Sequence, residues 1–172
     1  HISAAHDRIS PFIHKTPLIR SKEIDKLCGC EIIFKADNFQ KVGAFKARGA
    51  CNAIMSMEDE RLRRGVITHS SGNHGAALAW AAAMKKTDCI VVMPKNASAV
   101  KVDAVNCYGG TVLFCEPTMC ARETMVQDFV SKQSSQFIHP FDDYSVIAGQ
   151  GTIAIEFASQ LDGLLDKILV PV

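Results

Sequence analysis

The amino-acid sequence predicts an open α/β fold, with a twisted, mostly parallel sheet and helices on both of its faces. Two observations predict this fold. Short apolar and β-branched runs alternate along the chain with helix-like stretches, as in successive strand–helix–strand units. Runs such as CIVVM (89–93) are also apolar throughout, which is typical of parallel strands that are covered on both sides.

The individual elements follow in chain order. The first predicted strand is EIIFKAD (31–37), and a helix from Phe45 to Met57 follows it, with an apolar face made of Ala47, Ala50, Cys51 and Ile54. Further strands are predicted at GVITHS (65–70), CIVVM (89–93), TVLF (111–114), QFIHP (136–140) and KILVPV (167–172). Further helices are predicted at about 74–86, 98–107, 119–132 and 147–161.

Composition excludes several classes of function. The 172 residues carry a net charge of +1, and no basic run is longer than a pair, so no footprint for nucleic acid or an anionic membrane is present. No apolar run reaches the roughly 18 residues that a membrane span needs, and the polar start of the chain does not resemble a signal peptide. Since the chain opens on His1 and closes on an apolar run, we expect a segment of a longer polypeptide.

The seven cysteines predict reduced thiols rather than disulfides. Their number is odd and no CxxC pair occurs, a pattern that favours a cytosolic protein. Cys28-Gly29-Cys30 could form half of a metal site, but no second half with ligand spacing follows it. The sequence therefore predicts no metal site within this segment.

The loop HSSGNHG (69–75) is the first candidate binding site. It leaves the predicted strand GVIT and opens an alanine-rich helix, and ligands of parallel sheets bind at such carboxyl ends of strands. The backbone N–H groups of residues 71–74 would lie at a helix N-terminus, where an anion is favoured. The loop lacks both the GK[ST] ending and the GxGxxG spacing of nucleotide loops, so a small carboxylate suits it better. An ordinary Ser/Asn helix cap is the alternative.

Lys46 is the second candidate. It lies in FQKVGAFKARGA (39–50), among small and apolar residues, with no carboxylate between Phe39 and Ile54 to pair with it. Such a lysine is either a solvated charge on a helix face or a reactive amine. Desolvation disfavours the charged form, which lowers the pKa and makes the amine a usable nucleophile. Lys41 lies outside the run of small residues and is the weaker candidate.

Five blocks of sequence together resemble one enzyme family. They are HKTPLIRS (14–21), FQKVGAFKARGA, THSSGNHGAALA (68–79), YGGTVLFCEP (108–117) and HPFDDYSVIAGQGTIAIE (139–156). In this order they resemble the fold-type II pyridoxal-phosphate enzymes, whose fold is tryptophan-synthase-β-like. Within that family they are similar to the serine racemase and serine/threonine dehydratase branch, and most similar to the racemases. His74 stands where the cysteine synthase branch usually has threonine.

The resemblance implies roles for the candidate residues. Lys46 would form the Schiff base with pyridoxal phosphate, Phe45 would pack near the cofactor, and Asn73 would hydrogen-bond the phenolic oxygen of its ring. The substrate carboxylate would be held by the whole loop: Ser70, Ser71, Gly72, Asn73 and His74. The hydroxyl of Ser71 stands where racemases have the acid/base group of the second face, whereas the related dehydratases usually have alanine.

The activity that this implies is the interconversion of L- and D-serine by Cα proton abstraction, with accompanying β-elimination to pyruvate and ammonia. An L-serine/L-threonine dehydratase is the main alternative, because the segment HPFDDYSVIAGQGT resembles the dehydratases at Phe141 as much as it resembles the racemases. An aspartate racemase and a truncated, non-catalytic homologue also remain open. Gln150 could reach a substrate but is more often structural, and His69 and His139 are expected to be core groups rather than catalysts.

The resemblance also implies partners and effectors. We expect a cytoplasmic homodimer that takes a small amino acid and binds no nucleic acid or membrane. A divalent cation, Mg or Ca, is expected, with ligands outside this segment. The ATP effector site of related enzymes would match Ser21, Lys41 and Tyr108, but departures at three neighbouring positions argue against nucleotide activation: Lys22, Val42 and Ala76.

The family also predicts how the chain is divided. Residues 1–64 would be the first part of a large domain, 65–142 a small mobile domain, and 143–172 the return into the large domain. The chain would end before the glycine-rich loop that cradles the cofactor phosphate. We therefore expect an N-terminal part of the enzyme, which is inactive by itself.

Overall fold

The computed structural model describes residues 1–170. The helices are α1 (Ile2–Ile9), α2 (Lys22–Cys28), α3 (Lys46–Met55), α4 (Asp59–Leu62), α5 (Asn73–Met84), α6 (Ala99–Cys107), α7 (Met119–Gln133) and α8 (Tyr144–Gln160). The strands are β1 (Leu18–Arg20), β2 (Ile33–Lys35), β3 (Val66–His69), β4 (Cys89–Pro94), β5 (Thr111–Cys115) and β6 (Gln136–Phe137). Two single 3₁₀ turns, Asp37–Phe39 and Lys41–Gly43, lie just before α3.

The main sheet is parallel, as the sequence predicts. Its four strands lie in the order β5-β4-β3-β6, and every neighbouring pair is parallel. A second sheet pairs β1 with β2 in antiparallel orientation, with Ile19 opposite Phe34. The fold is therefore α/β with a mostly parallel sheet.

Helices cover both faces of the parallel sheet. On one face Val91 and Met93 of β4 are fully buried in a cluster with residues of α5 and α6. On the other face Ile67 and Val92 pack with Val126 and Phe129 of α7. Because successive side chains of a strand point to opposite faces, this double cover explains why CIVVM carries apolar residues at every position.

Helix α3 is buried on all sides, whereas the sequence indicated a single apolar face. Every residue from Ala47 to Ile54 is buried, because α3 packs against α1, α5 and α8. Two glycines allow the closest of these contacts: a Cβ atom on Gly149 of α8 would lie 2.6 Å from the Cα atom of Gly49. The small side chains of α3 therefore serve close helix packing and not only a hydrophobic face.

One predicted helix start and one predicted strand are wrong. Helix α8 begins at Tyr144 and not near Ile147, because the Asp143 side chain accepts hydrogen bonds from the backbone N–H groups of Ser145 and Val146 at 2.7 and 3.1 Å. The predicted strand KILVPV does not form in residues 167–170, and Pro171 and Val172 lie outside the described residues. A strand needs a neighbour for its ladder hydrogen bonds, and Leu169 is 94% exposed instead.

Four short elements were not predicted from the sequence: α1, β1, α2 and α4. None of them carries a long apolar pattern. Helix α1, for example, buries only Ala5 and Ile9, four positions apart, and α2 buries no residue completely. Elements of three to eight residues with so few buried positions give a weak periodic signal.

A buried ionic cluster joins these elements around Arg48. Its guanidinium is fully buried and donates to both carboxylate oxygens of Asp37, at 2.7 and 2.9 Å. It also donates to both carboxylate oxygens of Glu156 on α8, at 3.0 and 3.1 Å. Two bidentate contacts of this kind fix the orientation of the planar guanidinium as well as its position.

Three further side chains complete the cluster: Thr16, Lys35 and Gln160. The hydroxyl of Thr16 donates to Asp37 at 2.7 Å, and its backbone N–H donates to Glu156 at 2.9 Å. The Lys35 amine donates to Glu156 and to the Thr16 carbonyl. Burial would raise the pKa of Glu156, but the hydrogen bonds from Arg48 and Lys35 outweigh this effect and lower that pKa to about 2.

We predict that replacing Glu156 with Gln strongly destabilises the protein. The change leaves Arg48 and Lys35 with fewer negative partners in a buried site, which costs about 3–5 kcal/mol of unfolding free energy. Urea denaturation of the complete polypeptide measures this loss. The matched control is Glu116→Gln, which breaks an exposed pair with Lys95 and should change stability little. Equal effects of the two substitutions would contradict a structural role for the cluster.

The same carboxylate predicts an acid limb of stability. Because the folded pKa of Glu156 lies below its ordinary value of 4.5, its contribution is present above that value and is lost as the pH falls towards about 2. Wild-type stability should therefore fall over this range more steeply than that of the Gln variant. Parallel acid-unfolding curves for the two proteins would contradict the pKa assignment.

Candidate active site

Lys46 is the first residue of α3, and its amine has no acidic partner among the described residues. Its Nζ atom donates a hydrogen bond to the backbone carbonyl of Pro140 at 2.9 Å. The side chain is half-buried, and this burial lowers the pKa of the amine below its ordinary range. The Phe45 ring lies beside it, with 5.2 Å between Nζ and the ring centroid. The structure thus places a partly desolvated amine next to an exposed aromatic ring.

The turn before α3 determines where Lys46 lies. Val42 and Gly43 have positive φ angles of 54° and 69°, which reverse the chain tightly before the helix begins. The buried side chain of Gln40 ties this turn to the preceding segment. It accepts from the N–H groups of His14 and Lys41, at 2.8 and 2.9 Å, and donates to the His14 carbonyl at 2.7 Å.

The loop after β3 has three of the four open N–H groups that the sequence predicts, and the exception is Gly72. The Ser70 N–H is bonded to the Val92 carbonyl at 3.0 Å, and the Gly72 N–H to the Ser70 hydroxyl at 3.2 Å. Across residues 1–170, the N–H groups of Ser71, Asn73 and His74 have no protein acceptor. They lie at the N-terminus of α5, where an anionic group would satisfy them.

His74 links this loop to Lys46. Its imidazole is only 2% exposed, and neither ring nitrogen has a hydrogen-bond partner in the described part of the chain. Burial, with a further contribution from the charge of Lys46, lowers the pKa of His74 to about 3. The geometry agrees, because the ring of His69, which ends β3 just before the loop, lies 5.6 Å from that of His139, and the next residue, Pro140, accepts the hydrogen bond from Lys46. The loop and the candidate amine therefore lie at one site.

These features fit the cofactor that the sequence implies. The half-buried amine can react with an aromatic aldehyde, and the neighbouring aromatic ring can pack against it. The unsatisfied N–H donors can bind the carboxylate of a substrate. The Asn73 side chain is placed differently from the expectation, because its Oδ1 atom accepts a hydrogen bond from the Lys101 amine. Asn73 would have to exchange this partner in order to reach a cofactor ring.

The other predicted residues lie outside this site or serve the fold. Gln150 is structural, since its Oε1 atom accepts from the Gly49 N–H at 3.1 Å. Ser21 precedes α2, Lys41 lies in a 3₁₀ turn and Tyr108 follows α6. Within residues 1–170 no hydrogen bond or ion pair joins these three.

Sequence reasoning missed the residues that support Lys46. Arg48 was a visible signal, because a charged residue in a run of small ones must find buried partners. The acceptor of the Lys46 amine is a backbone carbonyl 94 residues away, and a backbone carbonyl leaves no trace in side-chain patterns. Lys101, the partner of Asn73, also lacked a signal of its own.

Two further properties of the described residues bear on function. None of the helices formed by residues 1–170 is long and apolar enough to cross a membrane. In the same part of the chain, no three His, Cys, Asp or Glu side chains group in a way that could hold a metal ion.

The chain matches the family model described as "Pyridoxal-phosphate dependent enzyme" over residues 9–172. It is 48% identical over 171 residues to the serine racemase of Dictyostelium discoideum. The matched residues cover 99% of this chain and 52% of that relative. It is 44% identical over 169 residues to the beta-hydroxyaspartate dehydratase of Paracoccus denitrificans (strain Pd 1222), with 98% of this chain and 53% of the relative covered. The chain thus spans about half the length of these relatives.

A solved structure has the same fold. The crystal structure of a pyridoxal 5'-phosphate-dependent aspartate racemase superimposes with a TM-score of 0.88 at 47% identity. The match covers 92% of this chain and 50% of that one.

We predict that His74 stays neutral in the folded protein between about pH 5 and pH 8. Its pKa of about 3 arises from burial, so the ring gains a proton only when the protein opens. Side-chain NMR of the histidines, recorded against pH, measures this directly. In urea the same residue should titrate near its ordinary value of 6.5. Titration of His74 near 6.5 in the folded protein would contradict its burial beside Lys46.

Proposed function

Because the chain belongs to the pyridoxal-phosphate-dependent enzyme family, we propose that the complete polypeptide is a serine racemase with accompanying β-elimination to pyruvate and ammonia. One observation carries the proposal furthest. The half-buried Lys46 amine and a loop with unsatisfied N–H donors and the exposed Ser71 hydroxyl lie close together, since the carbonyl that meets the amine follows His139, whose ring packs on His69 at the start of the loop.

We propose that three residues of this segment bind pyridoxal phosphate. Lys46 would bind it covalently through its amine, Phe45 would pack against it, and Asn73 would bond its ring oxygen after leaving Lys101. When bound, pyridoxal phosphate supplies an electron sink that makes the Cα proton of an amino acid removable. The anchor for its phosphate is expected in the part of the polypeptide that follows this segment.

Lys46 would act as general base on one face of the substrate. A lysine amine can accept a proton at neutral pH only if its pKa is well below the ordinary value, and burial lowers it here. The hydrogen bond to the Pro140 carbonyl at 2.9 Å limits the directions in which the amine can point. Both properties favour proton transfer to and from a carbon atom held above the amine.

The loop from Ser70 to His74 would hold the substrate carboxylate. The free N–H groups of Ser71, Asn73 and His74 are donors at a helix N-terminus, and they would carry most of the binding. The neutral imidazole of His74 adds no charge to this pocket, but its unpartnered ring nitrogens can accept or donate one further hydrogen bond.

Ser71 would return the proton on the opposite face. Its side chain is exposed and unbonded within the described residues, so the hydroxyl is free to face a bound substrate. A serine hydroxyl is a weak acid and base, and it therefore requires a neighbouring proton carrier. This residue separates the racemase from the second candidate function.

An L-serine/L-threonine dehydratase is the second candidate, and Phe141 favours it. This residue is 63% exposed and lies beside the site, with its ring edge-to-face with His139 at 4.5 Å. A large apolar group there could exclude water from one face of the substrate. The chain is also similar to a beta-hydroxyaspartate dehydratase and to an aspartate racemase, so an acidic amino acid is an alternative substrate. A truncated homologue without catalysis is the last alternative.

The remaining assignments concern the whole protein. We propose a cytoplasmic homodimer that binds Mg or Ca through ligands outside this segment and is not activated by ATP. The parallel sheet, Val66–Phe137, lies within residues 65–142 and supports their assignment to a small domain. Residues 1–64 and 143–172 would then belong to the large domain.

We predict that borohydride reduction of the complete polypeptide with pyridoxal phosphate labels Lys46. Lys46 has a lowered pKa and is the better nucleophile at neutral pH, whereas Lys41 lies in the turn before it. Peptide mapping by mass spectrometry identifies the labelled residue. The Lys46→Ala variant should lose the label, and the matched Lys41→Ala variant should keep it. Labelling of Lys41 in the wild type would contradict the assignment.

We predict that Ser71→Ala abolishes formation of D-serine while pyruvate formation from L-serine persists. Loss of the proton donor on the second face lowers the rate of racemisation about 100-fold or more. It leaves intact the proton abstraction that elimination requires. Chiral separation and a pyruvate assay, run on the same samples, measure the two reactions. Ser70→Ala is the control: it removes a neighbouring hydroxyl of the loop and should lower both products together.

Two results would decide against this function. Pyruvate without D-serine in the wild type would make the protein a dehydratase and leave Ser71 a role in binding only. If borohydride reduction leaves no label on the wild type and neither product forms, the non-catalytic homologue is the remaining candidate.

A further inference from the structure

The turn after β6 is folded by a side chain. The Nδ1 atom of His139 accepts hydrogen bonds from the backbone N–H groups of Phe141 and Asp142, at 3.3 and 2.8 Å. A side-chain acceptor that bonds the N–H groups two and three residues further along closes a tight turn, as Asn and Asp side chains commonly do. In this turn the acceptor is an imidazole. Because its Nδ1 atom accepts hydrogen bonds, Nδ1 carries no proton and Nε2 carries one.

The imidazole of His139 is held in this orientation by rings around it. Phe141 lies edge-to-face with it at 4.5 Å between ring centroids, and His69 and Phe137 do the same at 5.6 and 5.7 Å. Edge-to-face pairs restrict the rotation of a ring. The Nδ1 acceptor is thus directed at the turn by its surroundings and not by the two N–H donors alone.

The residue enclosed by this turn is Pro140, whose carbonyl accepts the hydrogen bond from the Lys46 amine. Pro140 is buried, and its carbonyl belongs to the same planar peptide unit as the Phe141 N–H, so the residues on either side orient this carbonyl. Those residues are His139 and Phe141, the acceptor and one of the donors of the turn. The position of the carbonyl therefore depends on the Nδ1 atom of His139.

We propose that His139 is a positioning residue for Lys46: its Nδ1 acceptor folds the turn that holds the Pro140 carbonyl on the lysine amine. The proposal rests on the proposed function of Lys46, since it concerns the step in which the amine is free and takes the Cα proton. The sequence predicts a hydrogen-bonded core group rather than a catalyst at this position. The proposed role adds to that expectation the support of the candidate base.

Three substitutions separate the acceptor from the ring. His139→Asn keeps an acceptor at the place of Nδ1 but removes the ring. His139→Phe keeps the ring and its aromatic neighbours but removes the acceptor. His139→Ala removes both. Circular dichroism and thermal unfolding of each complete polypeptide show whether the variant folds.

The first readout is the reactivity of Lys46 in the cofactor-free protein. Acetylation at limiting reagent, mapped by mass spectrometry and normalised to Lys41, reports how firmly the amine is held. Loss of one hydrogen bond from the amine should raise the relative labelling of Lys46 about fivefold in the Phe and Ala variants. The Asn variant should label like the wild type.

The outcomes are distinct. Wild-type labelling in the Asn variant together with raised labelling in the Phe variant supports the proposal. Wild-type labelling in the Phe variant overturns the proposal, because the acceptor would then be unnecessary. Raised labelling in the Asn variant also overturns it, because the acceptor would then be insufficient. If the Phe variant does not fold, nitrogen-15 NMR of His139 in the wild type decides: a proton on Nδ1 overturns the proposal, and a proton on Nε2 with wild-type labelling of the Asn variant supports it.

This experiment is independent of the reaction that the protein catalyses. Acetylation of Lys46 needs neither pyridoxal phosphate nor a substrate, so a failed racemase assay leaves its result unchanged. Conversely, an unaltered Lys46 in every His139 variant would refute the positioning role and leave the proposed function standing. In the active protein, the Phe variant should lower kcat about 10-fold or more with little change in KM, while the Asn variant restores it.

Discussion

The buried contacts of Arg48 constrain the rest of this structure. Arg48 and Lys35 face Asp37 and Glu156, so two positive and two negative groups meet in a site that is almost closed to water. Buried ions are stabilised only when each has its full set of partners. The partners come from distant parts of the chain, and α3 can form only where Asp37 precedes it and Glu156 of α8 lies across from it. Because Arg48 lies two residues after Lys46, the same contacts fix the direction in which α3 begins.

Close helix packing follows from this anchor. A guanidinium that bonds carboxylates on both sides draws α3 and α8 together, and Gly49 and Gly149 allow the two backbones to meet. Any side chain at either glycine would collide with the opposite backbone or with Gln150. The alanines and glycines around Lys46 are therefore explained by packing alone. Packing does not explain the lysine at the N-terminus of α3. Its half-buried amine loses hydration without gaining a counter-ion.

The sequence predicts the larger elements well because each leaves a periodic trace. The parallel strands, the loop of Ser70 to His74 and the apolar surroundings of Lys46 all follow from patterns of neighbouring residues. Contacts between distant residues leave no such trace. The charge of Arg48 in a run of small residues indicates buried partners but does not identify them as Asp37 and Glu156, and the carbonyl of Pro140 contributes no side-chain signal at all. The strand expected at KILVPV is absent from residues 167–170 for the same reason, since strand formation depends on a neighbour and not on apolar residues alone.

The candidate amine is thus constrained from two independent directions. Arg48 fixes the backbone from which Lys46 projects, and the turn closed by His139 fixes the carbonyl that its amine meets. Neither contact brings a negative charge to the amine, and a carboxylate in either place would raise its pKa and keep it protonated. A neutral carbonyl orients the amine while burial continues to lower its pKa. An aromatic ligand stacked on Phe45 would exclude more water from the same amine and lower the pKa further. The Pro140 carbonyl can therefore hold the amine of Lys46 without opposing the effect of burial on its pKa.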